Sequence, residues 1–319
     1  MAVYTDVAFD DLEGLLGDYD IGVPRSFKGI AEGVENSNFV LRTDRGSFIL
    51  TLYEKRVSAG DLPFFLGLLE HLAAHDVPCP VPVTNRRGQQ WTIVNGRPAA
   101  ILTWLDGLSL RMPDAAHCAA AGEALARLHE AGKDFPVSRP NSLSLPGWEA
   151  LARATSCDAD SVEHGLATLI DRSLQELKTA WPAALPNGVV HADLFPDNVL
   201  FIDDRVSGLI DFYFACNDYY AYDLAVMLNA WCFDDDGKYH VEKGRNLVGA
   251  YRAGRPLSAD ELSALPTLCA GAALRFLLTR LNDWLNPDPT ALVRPKDPRE
   301  FSRRLRFHRA MANTGDYGL

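Results

Sequence analysis

Val189-Val190-His191-Ala192-Asp193-Leu194-Phe195-Pro196-Asp197-Asn198-Val199-Leu200-Phe201-Ile202, followed by Leu209-Ile210-Asp211-Phe212, is the stretch from which the rest of the chain can be read. Val199 to Ile202 is apolar and reads as a strand, Asp203-Asp204-Arg205 as a turn, and Val206 to Ile210 as the returning strand. With Asp204-Arg205 as a two-residue tip, Asn198 falls directly opposite Asp211. Facing residues of paired strands lie about 4.5–5.5 Å apart. The amide oxygen of one and the carboxylate of the other can then share a Mg²⁺ ion, which takes oxygen ligands at about 2.0–2.1 Å. Asp-Arg is not a favoured tip, so a register one residue away stays open.

The block has the form H-x-D-x-x-x-x-N, with an Asp-Phe pair thirteen residues after the Asn. Protein kinases use that spacing, with the first Asp as base and the Asn and second Asp on the metal. Here those roles fall to Asp193, Asn198 and Asp211. Asp193 precedes the hairpin, where a carboxylate can orient a hydroxyl and accept its proton while the metal holds the phosphates of ATP. Asp and Asn also favour turns and caps, but four residues at fixed spacings between apolar strands point to chemistry. His191 reads as a structural, hydrogen-bonded histidine.

Outward from this block, the first hundred residues read mainly as strands. Ser37 to Thr43 and Ser47 to Tyr53 flank a turn at Asp44-Arg45-Gly46, and Asn95-Gly96 is a strong type I′ hairpin signal. Between them, Asp61 to Ala74 is an amphipathic helix with Pro63 in its first turn. Pro78-Cys79-Pro80-Val81-Pro82 cannot be helical. Beyond Trp104 the pattern turns helical: Ala115 to Ala131, closed by Gly132, then roughly Ala150 to Ala180, Tyr220 to Cys232, Lys238 to Ala253 and Ser258 to Leu285. Ser258-Ala259-Asp260-Glu261 is a capping box for the last. The expected division is residues 1–103 and 104–319.

Composition narrows the function. The chain has 319 residues, is 47% hydrophobic and carries a formal charge of -11, which disfavours nucleic acid as a partner. The densest basic run, Arg303, Arg304, Arg306 and Arg309, reads as a solvated helix face. No secretory leader and no run of about 18 apolar residues is visible, so a cytoplasmic protein without a membrane partner is expected. Six scattered cysteines without a C-x-x-C pair read as free buried thiols.

The His191 block resembles the aminoglycoside phosphotransferase and choline kinase superfamily, and the likeness runs from the hairpin near Asn38 past Asp223. It implies an α+β, bilobal, protein-kinase-like fold: an N-terminal antiparallel β-sheet lobe that binds nucleotide, and a larger, mostly helical C-terminal lobe for catalysis and substrate. It also implies an ATP- and Mg²⁺-dependent transfer to an alcohol. Tyr222-Asp223-Leu224-Ala225 resembles the family's later aspartate motif, so Asp223 is expected to brace the catalytic loop. Leu102 to Gly107 resembles the hinge between lobes, implying that backbone groups near Thr103 and Leu105 receive adenine. Asn36, Ser37 and Asn38 take the place of the glycine-rich phosphate loop. Two departures stand out: Thr51 occupies the usual β3 Lys position, and Phe64-Phe65 stands where a helix Glu would be. Lys55 or Arg56 is the candidate replacement cation.

Four phrases, Gly33 to Asn38, Phe48 to Glu54, Leu62 to Phe65 and Ala273 to Phe276, resemble the branch of that superfamily that phosphorylates L-homoserine on the way to threonine. Such an acceptor needs a cation for its carboxylate and an anion for its ammonium. Arg275 and Arg280, in an apolar helix, are candidates for the first, and Asp218 for the second. Glu35, Trp148 and Trp231 are further pocket candidates. The competing readings are a kinase for an aminoglycoside, choline or a sugar, and a nucleotide-binding pseudokinase. The missing β3 Lys favours the pseudokinase, and the intact Asp193, Asn198 and Asp211 oppose it.

Overall fold

A computed structural model of the chain describes residues 5, 7–30, 36–54, 57–234, 236–287 and 295–319. Gly33, Val34, Glu35, Lys55 and Arg56 lie outside the described residues. The chain divides into two compact units, one ending at Asp106 and the other starting at Gly107.

In the first unit, helix α1 (Phe9–Leu16) is followed by strands β1 (Pro24–Gly29), β2 (Ser37–Thr43) and β3 (Gly46–Leu52), helix α2 (Leu62–Ala74), and strands β4 (Thr92–Val94) and β5 (Arg97–Thr103). The strands form one antiparallel sheet in the order β1-β2-β3-β5-β4. Asn95 and Gly96 take φ of +50° and +75°, the pair of left-handed residues that a type I′ turn requires. Alternation sets the buried face: Phe39 and Leu41 of β2 and Leu50 and Leu52 of β3 pack with Leu12 and Leu16 of α1.

The second unit is mainly helical. It begins with strand β6 (Leu108–Ser109) and helices α3 (Ala115–Ala131), α4 (Leu145–Thr155), α5 (Ala159–Val162) and α6 (Leu166–Ala180). The helix expected from Ala150 to Ala180 is therefore three helices, and Gly165, at φ +78°, is a left-handed residue that no helix runs through. Strands β7 (Asn187–Val190), β8 (Val199–Ile202), β9 (Arg205–Leu209) and β10 (Cys216–Tyr219) come next. Helices α7 (Tyr220–Trp231), α8 (Val241–Gly254), α9 (Ala259–Leu285) and α10 (Arg299–Arg309) complete it. The Ser258 hydroxyl accepts the Glu261 N–H at 3.1 Å and the Glu261 carboxylate accepts the Ser258 N–H at 2.9 Å, so the capping box forms.

Helix α9 is the spine of this unit and packs against α4, α6, α7 and α10. By length and composition it could cross a membrane, but most of it is buried among its neighbours, as in the core helix of a globular unit. The basic run on α10 departs from a uniformly solvated face: Arg304 is buried, donates to the Asn229 carbonyl at 2.7 Å and pairs with Glu300. Its stem and guanidinium fill space against Phe301 and Phe233, which an exposed face would leave to water. All six cysteines are free and five are buried; Cys157 is exposed, contrary to the expectation of buried thiols throughout.

Candidate active site

Strand β7 ends at Val190, and the segment from His191 to Asn198 is tied to the helices by side chains that bond its backbone. Asp223, fully buried in the first turn of α7, accepts the His191 N–H at 2.7 Å and the Ala192 N–H at 2.8 Å. Trp231, at the end of the same helix, donates its indole N–H to the Leu194 carbonyl at 2.8 Å. Arg275 of α9 donates from Nη1 to the Ala192 carbonyl. Ala192 itself is left-handed, at φ +62°, a conformation that costs a residue with a Cβ about 1–2 kcal/mol. Side-chain ties on this scale over-determine the loop and hold that strain.

His191 is buried beneath the loop. Its Nε2–H donates to the Ile210 carbonyl at 3.0 Å and its Nδ1 accepts the Asp193 N–H at 3.3 Å. Burial lowers its pKa, so the ring is neutral and carries its proton on Nε2. Behind Asp223 lies His129 of α3, which donates from Nε2 to the carboxylate at 3.1 Å and accepts the Tyr251 hydroxyl at 2.8 Å. Tyr251 in turn accepts from Arg255, which pairs with Glu261 at 2.9 Å. Burial alone would raise the Asp223 pKa, but the His129 hydrogen bond and the neighbouring imidazoles and backbone N–H groups outweigh it and hold it below the ordinary value. Burial also lowers the pKa of His129. The chain of contacts therefore runs from an anionic Asp223 through a neutral His129.

The hairpin after the loop has a different register from the one expected. Its tip is Asp203-Asp204, at φ +47° and +60°, pairing Ile202 with Arg205. Ser207 is an extra residue between the Phe201–Val206 and Leu200–Gly208 pairs, and Val199 faces Leu209. Asn198 therefore faces Ile210, whose N–H it accepts at 3.0 Å, and Asp211 lies one residue further on. The physical reason is that two short acidic side chains tolerate the left-handed turn that Asp-Arg would not. Asn198 is buried, and its Nδ2 donates to the Asp193 carbonyl at 2.8 Å. Among the described residues its Oδ1 has no hydrogen-bond partner. Asp211 is exposed and left-handed, at φ +65°. An unclaimed amide oxygen and an exposed carboxylate near each other in the chain are the hard oxygen donors that suit Mg²⁺.

Asp218 sits on β10, half-buried, and faces Gly188 of β7. It accepts Asn141 Nδ2 at 2.6 Å and the Tyr219 N–H at 2.7 Å. Burial raises its pKa, and those two donors partly oppose the shift. The guanidinium of Arg280 reaches Glu300 at 2.5 Å and lies 4.4 Å from the Phe301 ring centre. Trp148 and Trp231 are both fully buried, and Trp148 donates to the Leu143 carbonyl at 2.6 Å.

In the first unit, Asn36, Ser37 and Asn38 are engaged internally. Asn36 Oδ1 accepts the Glu54 N–H at 3.4 Å, Ser37 donates to Glu54 Oε1 at 2.7 Å, and Asn38 Oδ1 accepts the Thr51 hydroxyl at 2.7 Å. Glu54 also pairs with Arg97 at 3.1 Å. The Thr103 N–H donates to the Val81 carbonyl and the Thr103 hydroxyl accepts the Val81 N–H, at 2.9 Å each. The backbone groups of Leu105 have no partner among the described residues.

His129 and Asn141 are the working residues that sequence reasoning does not place, while Trp231, a pocket candidate in the sequence, bonds the Leu194 carbonyl. His129 does leave a trace, as a polar residue on the buried face of an Ala-rich helix. Together with His191 it predicts a pH dependence. A third buried histidine, His308, lies between Tyr317 and Asn229 and is pushed down to about 3 by burial. All three are neutral when folded and titrate near 6.5 when unfolded, so unfolding takes up protons once the pH drops below that value. The stability they contribute is complete above about pH 6.5 and is lost as the pH falls, at about 1.4 kcal/mol per pH unit for each histidine still neutral in the fold. Urea melts between pH 7 and 5 would show the decline, and a flat profile would contradict a neutral His308.

The model of the APH phosphotransferase enzyme family matches residues 26–257. A homoserine kinase of Xanthobacter autotrophicus is 59% identical over 319 residues, covering all of this chain and 99% of the relative. One of Rhodospirillum rubrum is also 59% identical, with the same coverage. Among solved structures, a spectinomycin phosphotransferase in complex with ADP and spectinomycin superposes with a TM-score of 0.72 at 12% identity, over 96% of this chain and 99% of that one. At that identity the likeness speaks for the fold alone.

Proposed function

The chain belongs to the phosphotransferase enzyme family, and on that premise we propose that it transfers the γ-phosphoryl group of ATP to the side-chain hydroxyl of L-homoserine, yielding O-phospho-L-homoserine and ADP in the cytoplasm, on the way to threonine. The observation that carries the acceptor is the likeness, over the whole length, to relatives named homoserine kinase.

In this reading the acceptor hydroxyl sits against Asp193, which takes its proton as the oxygen attacks phosphorus and the bond to ADP breaks. The loop supplies position, because its backbone is fixed by Asp223, Trp231, Asn198 and His191 before substrate arrives. Asn198 Oδ1 and Asp211 would hold Mg²⁺, which when bound neutralises phosphate charge. Asp218 takes the acceptor's ammonium, with Asn141 fixing one carboxylate oxygen and leaving lone pairs to accept. Leu105 offers to adenine its backbone groups, which have no partner among the described residues, beside Thr103, and Asn36, Ser37 and Asn38 line the phosphates. Arg280 is neutralised by Glu300 and supports the fold around α9.

ADP release with Mg·ATP against homoserine, serine, threonine, choline and an aminoglycoside tests the proposal. Selective turnover of homoserine is expected. Turnover of another member of the panel would keep the phosphotransfer chemistry and overturn the acceptor, and ATP binding without turnover of any of them would favour the pseudokinase.

A further inference from the structure

Arg275 is an anomaly that the proposed chemistry does not absorb. It lies in the middle of α9, 2% exposed, and among the described residues it has no acidic partner. Its guanidinium carbon is 5.4 Å from the Phe214 ring centre and 4.4 Å from that of Phe276. Nε is sealed from solvent and has no hydrogen bond among the described residues. A buried cation in such a place is costly, and it donates a hydrogen bond to the Ala192 carbonyl, the residue just before Asp193.

We infer that Arg275 is a positioning residue, which holds the left-handed Ala192 from its carbonyl side and thereby sets the direction of the Asp193 carboxylate. Asp223 anchors the Ala192 N–H. The peptide between Ala192 and Asp193 is held at its oxygen by Arg275 and at its N–H by His191 Nδ1. Without Arg275 that oxygen loses its charged donor, and Ala192, at φ +62°, can relax toward the right-handed region that residues with a Cβ prefer. Relaxation rotates the following peptide and swings Asp193 away from the hydroxyl. The inference rests on Asp193 being the base, and it replaces the reading of Arg275 as the partner of the acceptor's carboxylate.

A glycine at position 192 tests this, because glycine occupies the left-handed region without strain. Arg275→Met in the otherwise native chain should lower kcat by about a hundredfold, with KM for homoserine and for ATP changing by less than about threefold. The same substitution in an Ala192→Gly background should lower kcat by only about threefold relative to Ala192→Gly alone. Thermal melts and calorimetric Mg·ATP binding establish that each variant is folded. Should Arg275→Met not fold, Arg275→Gln, which removes the charged donor, is read in the same cycle, with the same expectation. Equal losses in both backgrounds overturn the inference, as does a rise in homoserine KM with kcat retained, which would make Arg275 a ligand of the acceptor. Failure of the underlying reading shows separately, as undiminished turnover in Asp193→Asn. If native protein prefers another acceptor, the cycle is run on that alcohol.

Discussion

Asp193→Asn is expected to lower kcat by about 10³-fold while Mg·ATP affinity changes by less than about threefold. The asymmetry follows from how the loop is built. The backbone at position 193 carries the ties that shape the loop: the Asp193 carbonyl accepts Asn198 Nδ2 at 2.8 Å and the Phe195 N–H at 2.8 Å, and the Asp193 N–H donates to His191. An asparagine keeps the shape and all of these bonds. The Asn198 contact with the carboxylate itself is long, at 3.5 Å, and contributes little. What disappears is a basic oxygen able to receive the hydroxyl proton. The proposed nucleotide and metal residues, Asn198, Asp211 and Leu105, are untouched, so binding and chemistry should separate cleanly. Steady-state ADP release paired with calorimetric nucleotide binding makes the comparison. Turnover within about tenfold of the native rate would remove Asp193 from the role of base, and a parallel loss of nucleotide affinity would mean that the loop had moved.

The parts of this protein that the sequence discloses are those whose cause is local. Ser258 and Glu261 cap α9 because both partners lie within one turn, and Asn95-Gly96 turns because those residue types reach left-handed φ at little cost. The Asp203-Asp204 tip was equally local, but three polar residues in a row offered more than one tip, and the extra residue at Ser207 left no mark in the pattern. That one-residue slip moved the partner of Asn198 from Asp211 to Ile210. Within the site, the spacing of Asp193, Asn198 and Asp211 was visible because one short segment carries all three. The residues behind it were not, because their partners are far away in the chain. His129 meets Asp223 across 94 positions and Arg275 meets Ala192 across 83. Sequence could mark Arg275 as an out-of-place charge, and only the fold supplies what it touches.

Asp223→Asn should be the most destabilising conservative change in the second unit, lowering stability by about 3–5 kcal/mol. Three donors converge on the native carboxylate: the backbone N–H groups of His191 and Ala192 and the Nε2–H of His129. A carboxylate has two oxygens and only accepts, which suits such a site; an amide has one oxygen and brings two donors of its own. However it rotates, asparagine points N–H at N–H in a place closed to bulk solvent, since Asp223 and His129 are both fully buried. His129 can turn its other tautomer toward the amide only by giving up the Tyr251 hydroxyl proton it now accepts, so the misfit would travel to Tyr251 and Arg255. The melting temperature should fall by about 10 °C. Activity should fall as well, even at temperatures where the protein is folded, because the same bonds fix the start of the loop that carries Asp193. A melt within about 2 °C of native would mean that the loop keeps its backbone conformation without an anionic anchor, and would assign its rigidity to Trp231 and Arg275 instead.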